Sequence, residues 1–335
     1  MQPTILAIES SCDETSAAVI QNGKVLNNVI ATQSIHEIYG GVVPELASRA
    51  HQQHIIPIVS SALKEAGIRP SDLNAIAFTQ GPGLLGALLV GASFAKGLAM
   101  ALDIPLIAVN HMKAHILAHF IDDPKPEFPF LCLTVSGGHT QIVKVNSPLN
   151  MEILGETRDD AVGEAFDKCA KIIDLPYPGG PQIDKLAATG NPDAYTFGKA
   201  AMDGLDFSFS GIKTSFLYFI RDHMKKDQNF ITKNINDIAA SLQKHLIDML
   251  LEKLIQASKE HKIKHIAIAG GVAANQGLRA RLKQESDIRN WEIFIPEFQY
   301  CTDNAGMIAI AAHFQFLEGD FSELEVAPNP RLPFS

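Results

Sequence analysis

Short apolar runs alternate with amphipathic stretches of helical period along this chain, and the whole cycle occurs twice. Residues 4–9, TILAIE, form an apolar run that ends in the turn Ser10-Ser11-Cys12-Asp13. SAAVI and KVLNNVI follow, separated by Asn22-Gly23, a dipeptide suited to a two-residue hairpin. Over 44–66 the positions Leu46, Ala50, Ile55, Val59, Ala62, Leu63 and Ala66 mark the apolar side of a helix, with Pro57 as a kink and Gly67 as its stop. Strands are expected at 75–80 and 105–110, with a helix over 83–102 between them.

A second cycle begins near residue 128. FPFLCLTVSGGHTQIVKV reads as strand, Ser-Gly-Gly turn and return strand, and it echoes ILAIESSCDETSAAVI in pattern rather than identity. A helix over 160–174 turns Val162, Ala165, Phe166, Cys169, Ile172 and Ile173 toward a core. A turn over 176–184 leads into a further helix, 203–214 is a loop entering another, and 234–261 is one long helix. HIAIAGGVAAN at 265–275 is strand, Gly-Gly turn and helix start, and 292–296 is a strand. DNAGMIAIAAHFQFL closes the pattern as a helix with Asp303 as its N-cap. The last nine residues, APNPRLPFS, read as a tail. Strand and helix alternate in each half, which argues for α/β layers.

Composition narrows the class. A length of 335 residues fits two domains or one large one. With 46% hydrophobic and 19% charged residues, the chain can bury substantial cores and is not a disordered protein. Its net charge of −9 excludes a grip on nucleic acid through the overall field, so RNA contact must rest on a local patch or a partner subunit. Cys12, Cys132, Cys169 and Cys301 form no CxxC pair and read as free thiols in a reducing cytosol. The opening MQPTILAIESSCDETS has no basic region and soon turns acidic, so no signal peptide is expected. Residues 83–102 come nearest to a membrane span. Lys96, the interspersed glycines and alanines, and flanking Pro82 and Asp103 instead suggest a buried helix packed through small residues, and no membrane is expected.

Candidate chemistry centres on His111-Met112-Lys113-Ala114-His115. Two histidines at i and i+4 share one helix face, so both imidazoles can reach one metal ion. Met112 occupies the place where a zincin protease carries its general base, so the pair can hold a metal without an adjacent base for peptide hydrolysis. His119, two turns on, lies roughly 12 Å from His111 along the axis, too far to share the ion. A third ligand must come from elsewhere. Asp303 could complete a His/His/Asp set, which suits Fe(II) or Zn(II), and spacing does not separate them. The loops at Ser136-Gly137-Gly138, Gly270-Gly271 and Gln80-Gly81-Pro82-Gly83 could each turn backbone amides toward an anion, or could simply be tight turns. No GxxxxGK[ST] is present. Asp167 and Asp184 read as carboxylates of predicted helices, by default solvated.

Together the motifs resemble the tRNA N6-adenosine threonylcarbamoyltransferase family, formerly called glycoproteases. The resemblance runs through IESSCDETSAAV, GGVVPELASRAH, GPGLLGALLVG, NHMKAHILAH, VSGGHTQIV, DDAVGEAFDKCAK, YPGGPQID, FSFSGIKT, AGGVAAN and CTDNAGMIA, nearly the whole chain. It implies the two-lobed actin/Hsp70/sugar-kinase fold, a duplication of RNase H-like domains about a central cleft. The N-terminal lobe would be 1–110 plus about 305–335. The C-terminal lobe would be 111–304, with the metal-binding helix at the cleft. By resemblance, His111, His115 and Asp303 bind one divalent metal, Fe(II) ahead of Zn(II). Thr134, Val135, Ser136, Gly137 and Gly138, with Asp167, Gly180, Asp184 and Asn275, bind threonylcarbamoyl-AMP. The implied reaction moves the threonylcarbamoyl group to N6 of adenosine 37 in tRNAs reading ANN codons, releasing AMP, in the cytoplasm. The implied partners are tRNA, the paralogue TsaB and the ATPase TsaE, and no residue is assigned as a general base. Thr134 stands where archaeal and eukaryotic relatives carry a metal-contacting Tyr, so water or substrate would complete coordination there. A small-molecule kinase of the same fold, a metalloprotease and a non-catalytic scaffold are the competing readings. The first gives the HMKAH pair no role, and Met112 disfavours the second.

Overall fold

A computed structural model describes residues 3–33, 35–198 and 202–334, apart from the side chain of Glu37. The first strands form an antiparallel hairpin, β1 (Thr4–Glu9) and β2 (Glu14–Gln21), in register from Thr4 opposite Gln21 to Glu9 opposite Ser16. The turn Asn22-Gly23 leads into β3 (Lys24–Val25), and β4 (Val29–Thr32) also pairs with β2. A short α1 (His36–Tyr39) and a long α2 (Pro44–Ala66) come next. β5 (Ala75–Gly81), α3 (Leu85–Leu102) and β6 (Leu106–Asn110) then form a parallel crossover, and α4 (His111–Leu117) leaves directly from β6. The sheet order is β3-β2-β1-β5-β6.

The second cycle gives β7 (Phe130–Val135), β8 (Thr140–Ser147) and β9 (Asn150–Glu156), then α5 (Val162–Ile172), α6 (Gly179–Ala187), α7 (Ser210–Met224) and α8 (Phe230–His261). β10 (His265–Ala269), α9 (Gln276–Arg289) and β11 (Glu292–Phe294) complete it, in the order β11-β10-β7-β8-β9. Each sheet therefore has a meander of three strands with two parallel strands added beside its first. The repeat expected from pattern is a repeat of topology. α10 (Ala305–Glu318) ends the helical series.

The chain divides into two compact units, one of Met1–Lys125, Ser147–Asn150 and Pro296–Ser335, the other of Pro126–Asn146 and Met151–Ile295. The boundaries expected at 110 and 304 thus shift, and α4 and Asp303 both fold with the first unit. The cause is local. Asn110 is at once the last residue of β6 and the N-cap of α4, its Oδ1 accepting from the amides of Met112 and Lys113. No linker separates strand from helix, and α4 packs against α10.

Strand parity sorts the side chains of the first unit. Leu6, Ile8, Ile76 and Phe78 join α2 and α3 in one apolar cluster. Their neighbours Ile5, Ala7, Glu9, Ala77 and Thr79 must lie on the opposite face, where α4 and α10 contact the sheet. α3 is the one helix among the described residues long and apolar enough to cross a membrane. Its small residues Ala87, Gly91, Ala92, Ala95 and Ala99 are buried, as the sequence suggests. α2 runs as one helix through Pro57, and it ends at Gly67 as read.

Two expectations need correction. Asn304, not Asp303, caps α10, accepting from the amide of Met307 at 3.0 Å. The proline-rich end is not a free tail: Asn329 N–H donates to Gln80 O, Gly83 N–H to Pro330 O, and Asn110 Nδ2 to Pro333 O. Prolines there leave carbonyls that other segments can bond, and composition does not show the docking. Ser335 lies outside the described residues.

Candidate metal centre and substrate loops

The cap at Asn110 starts α4 at once, so His111 occupies its first position and His115 the same face one turn later. The two rings meet edge to face at 4.7 Å between centroids. Their Nε2 atoms lie 3.2 Å apart. Asp303 Oδ1 is 3.2 Å from Nε2 of His111 and 3.1 Å from Nε2 of His115. Losing the cap role to Asn304 leaves the Asp303 side chain available to this cluster.

Three donor atoms therefore converge from two segments distant in sequence. Ligand atoms bound to one ion at about 2.1 Å lie roughly 3.0–3.4 Å from one another, depending on coordination geometry, so the spacing fits one coordination sphere. The histidines are buried, and the Asp303 side chain keeps 23% of its exposure, leaving one open side. Two imidazoles and a carboxylate suit Fe(II) or Zn(II).

The sequence reading missed Glu9 and Ser11. Glu9, at the end of β1, is fully buried. Its Oε2 lies 3.1 Å from His111 Nδ1 and accepts from Thr79 Oγ1 at 2.5 Å, while Oε1 accepts from the amide of Ser11. Ser11 Oγ donates to Asp303 Oδ2 at 3.4 Å. The available signal was a carboxylate placed by parity on a buried face, in a strand otherwise apolar from Ile5 to Ile8.

These charges reshape one another. Burial opposes protonation of His111, yet the carboxylates of Asp303 and Glu9 outweigh it and raise its pKa well above the imidazole range. Burial lowers that of His115. Burial also opposes ionisation of Asp303, but His111 and His115 hold its pKa well below the usual carboxylate range. Glu14 differs: burial first, then Asp303 and Asp13, push its pKa up to about 10.

The expected substrate residues all fall in the second unit. Thr134 and Val135 end β7 in full burial. Ser136 to His139 form the tight turn to β8, with Ser136 N–H donating to His139 O and His139 N–H to Ser136 Oγ. Gly137 and Gly138 have open space where a Cβ would stand. A Cβ at Gly163 would come within 2.6 Å of Ser136 O, and one at Gly270 within 2.4 Å of Val135 O, so α5 and the β10 turn close directly on this loop. Asp167 accepts from the amides of Gly179 and Gly180 at 2.8 and 3.3 Å. Asp184 accepts from Gln276 and Gly277 at 3.0 and 3.3 Å. Asn275 caps α9 through Leu278 N–H and donates to Gln243. Asp167, Gly180, Asp184 and Asn275 thus form one linked run through α5, α6 and the start of α9. These carboxylates are engaged with backbone amides and are not simply solvated.

Against known proteins, residues 24–310 match the family model described as TsaD, tRNA N6-adenosine threonylcarbamoyltransferase. Curated proteins of that name are similar over nearly their full length. One from Cytophaga hutchinsonii is 61% identical, covering 99% of this chain and 97% of the relative. One from Porphyromonas gingivalis is 57% identical, covering 98% of each. One from Clostridium perfringens is 52% identical, covering 98% and 97%. Among solved structures, full-length HypF in a phosphate- and nucleotide-bound form aligns with 96% of this chain and 47% of its own, at a TM-score of 0.66 and 14% identity. Component A of (R)-2-hydroxyglutaryl-CoA dehydratase from Acidaminococcus fermentans aligns with 92% of this chain and 99% of its own, at 0.54 and 15%. At such identities these likenesses establish the fold alone, the actin/Hsp70/sugar-kinase fold. The match through both cycles, at more than half identity to full-length relatives, places the chain in the tRNA N6-adenosine threonylcarbamoyltransferase family.

Proposed function

We propose that this chain transfers the threonylcarbamoyl group of threonylcarbamoyl-AMP to N6 of adenosine 37 in tRNAs reading ANN codons, with AMP as leaving group. The observation that carries the reading is the near full-length identity to relatives bearing the transferase name. The converging His111, His115 and Asp303 donors support it, since a kinase of this fold has no use for them.

The chemistry asks little of a nucleophile. The N6 amine attacks a carbonyl carbon, the bond from that carbon to the phosphate oxygen breaks, and the amine gives up a proton. Adenylate is a good leaving group, so positioning and charge stabilisation are the protein's main tasks. His111, His115 and Asp303 would hold one divalent ion, Fe(II) ahead of Zn(II), which when bound polarises and orients donor oxygens as a Lewis acid. Thr134 to Gly138 would receive the carbonyl or carboxylate end against an open Gly137-Gly138 surface. Asp167, Gly180, Asp184 and Asn275 would line the nucleoside and threonyl hydroxyls: Asp167 accepts both of its amides on Oδ1 and keeps Oδ2 for a hydroxyl donor, and Asp184, with one amide on each oxygen, keeps a lone pair on each. No residue is assigned as general base.

The acidic chain would share tRNA capture with partners, the paralogue TsaB and the ATPase TsaE. Ile56 on α2 with Leu85, Leu89 and Met100 on α3 are exposed apolar side chains suited to the paralogue. No membrane takes part, and the site of action would be the cytoplasm.

The test supplies both partners, presynthesised threonylcarbamoyl-AMP and unmodified tRNA, and follows AMP release together with threonylcarbamoyladenosine in digested tRNA by mass spectrometry. Equal yields of the two products are expected. AMP without modified nucleoside would reduce the activity to hydrolysis.

A further inference from the structure

The two histidines of the candidate centre are not equivalent. His115 Nδ1 is buried without a hydrogen-bond partner among the described residues. His111 Nδ1 faces the Glu9 carboxylate at 3.1 Å, with Ser11 Oγ at 3.4 Å. Glu9 is itself fixed from two sides, by Thr79 Oγ1 on the neighbouring parallel strand and by the amide of Ser11 in the turn after β1. Both of those groups donate, so both favour the carboxylate form with its lone pairs turned to donors.

The geometry points to Glu9 as the positioning residue of the metal centre: it holds the proton of His111 on Nδ1 and so aims the Nε2 lone pair at the ion. This rests on the reading of His111, His115 and Asp303 as the metal site. An acceptor fixed behind the ring selects one tautomer and one ring orientation, and increases the basicity of the distal nitrogen. Glu9 does this from a rigid place, a strand end flanked by two others, and not from a loop. It also matches the charge of a divalent ion: buried Glu9 and half-buried Asp303 bring two negative charges to the cluster. His115 has no such support and depends on α4 and its own packing for its direction.

The test measures metal binding by the full chain and does not involve transfer. Metal-free protein is titrated with Zn(II) against a chromophoric chelator, and with Co(II) while the ligand-field absorption is recorded. Glu9→Gln keeps the shape but removes the charge, and its amide nitrogen must face either the amide N–H of Ser11 or the side shared by Thr79 Oγ1 and His111 Nδ1. Zn(II) affinity should fall about 10- to 100-fold, with altered Co(II) bands, while the thermal midpoint of the metal-free protein shows that the fold persists. Thr79→Val, which frees one side of the carboxylate, should produce a smaller fall in the same direction. A folded Glu9→Gln protein with wild-type affinity and an unchanged Co(II) spectrum would overturn the assignment. If Glu9→Gln does not fold, Thr79→Val decides: weakened binding supports the role and unchanged binding overturns it. Wild-type protein that binds neither ion would instead sink the metal-site reading beneath it.

Discussion

Protonation at the candidate centre competes with metal binding, and the competition has a direction. His111 must be neutral to donate Nε2, while Asp303 and Glu9 hold its pKa well above the ordinary 6.5 in the metal-free protein. Apparent metal affinity should therefore climb with pH through neutrality, by about tenfold per unit while one proton is displaced. Competition titrations at several pH values check this, and a flat profile would contradict it. Glu14 gives a separate signature. It keeps its proton to about 10 in the folded protein, whereas its ordinary value is 4.5. The unfolded chain releases that proton first, so the group's contribution to stability declines as pH rises from about 4.5 toward about 10. Glu14→Gln should flatten the fall of the thermal midpoint between neutral and alkaline pH, and parallel curves for variant and wild type would refute this. The His111/His115 pair was legible at this scale because helical spacing alone puts both rings on one face. Asp303 was legible as a candidate third ligand but was also read as the α10 cap, because Asp and Asn in sequence compete for one cap and only Asn304 takes it. Glu9 carried only one local signal, a carboxylate closing an otherwise apolar strand, and nothing local gives its role, because its partners Thr79 and His111 are 70 and 102 residues away.

Among elements, regular pattern and contact-dependent structure separate cleanly. α2 was readable to the residue, because its apolar stripe and Gly67 at the stop agree. β9 was not, because NMEILGE lies at a sheet edge with mixed burial and no strict alternation. The turns around Val135 and Ser136 could be named as glycine-rich but not given a reason until their neighbours were seen. Gly270 has φ +90, and a Cβ there would also strike Val135 O. Gly270→Ala should thus cost stability of about 1–3 kcal/mol and weaken adenylate binding through the displaced loop, measurable by denaturant unfolding and calorimetry. Gly271→Ala, which meets nothing within 4 Å, is the control. Equal effects of the two would show that close packing on Val135 is not what matters. Removing the α10 cap by Asn304→Ala should cost about 1 kcal/mol and, by loosening the adjacent Asp303, lower metal affinity as well.

For the whole molecule, sequence pattern conveys the repeat and the fold class, because both cycles carry the same run of strand, polar turn and return strand. It misplaces the division between units, because residues 111–125 follow β6 without a linker and their packing partner α10 comes nearly two hundred residues later. The chemistry proposed here is likewise spread out: the metal donors belong to one unit and the substrate loops to the other. The most direct measurement compares wild type with His111→Ala, each with both partners, threonylcarbamoyl-AMP and unmodified tRNA, reading bound metal and threonylcarbamoyladenosine in the same samples. The account predicts metal and modified nucleoside with wild type and neither with His111→Ala, at an unchanged fold. Full transfer by a metal-free, folded His111→Ala protein would contradict it.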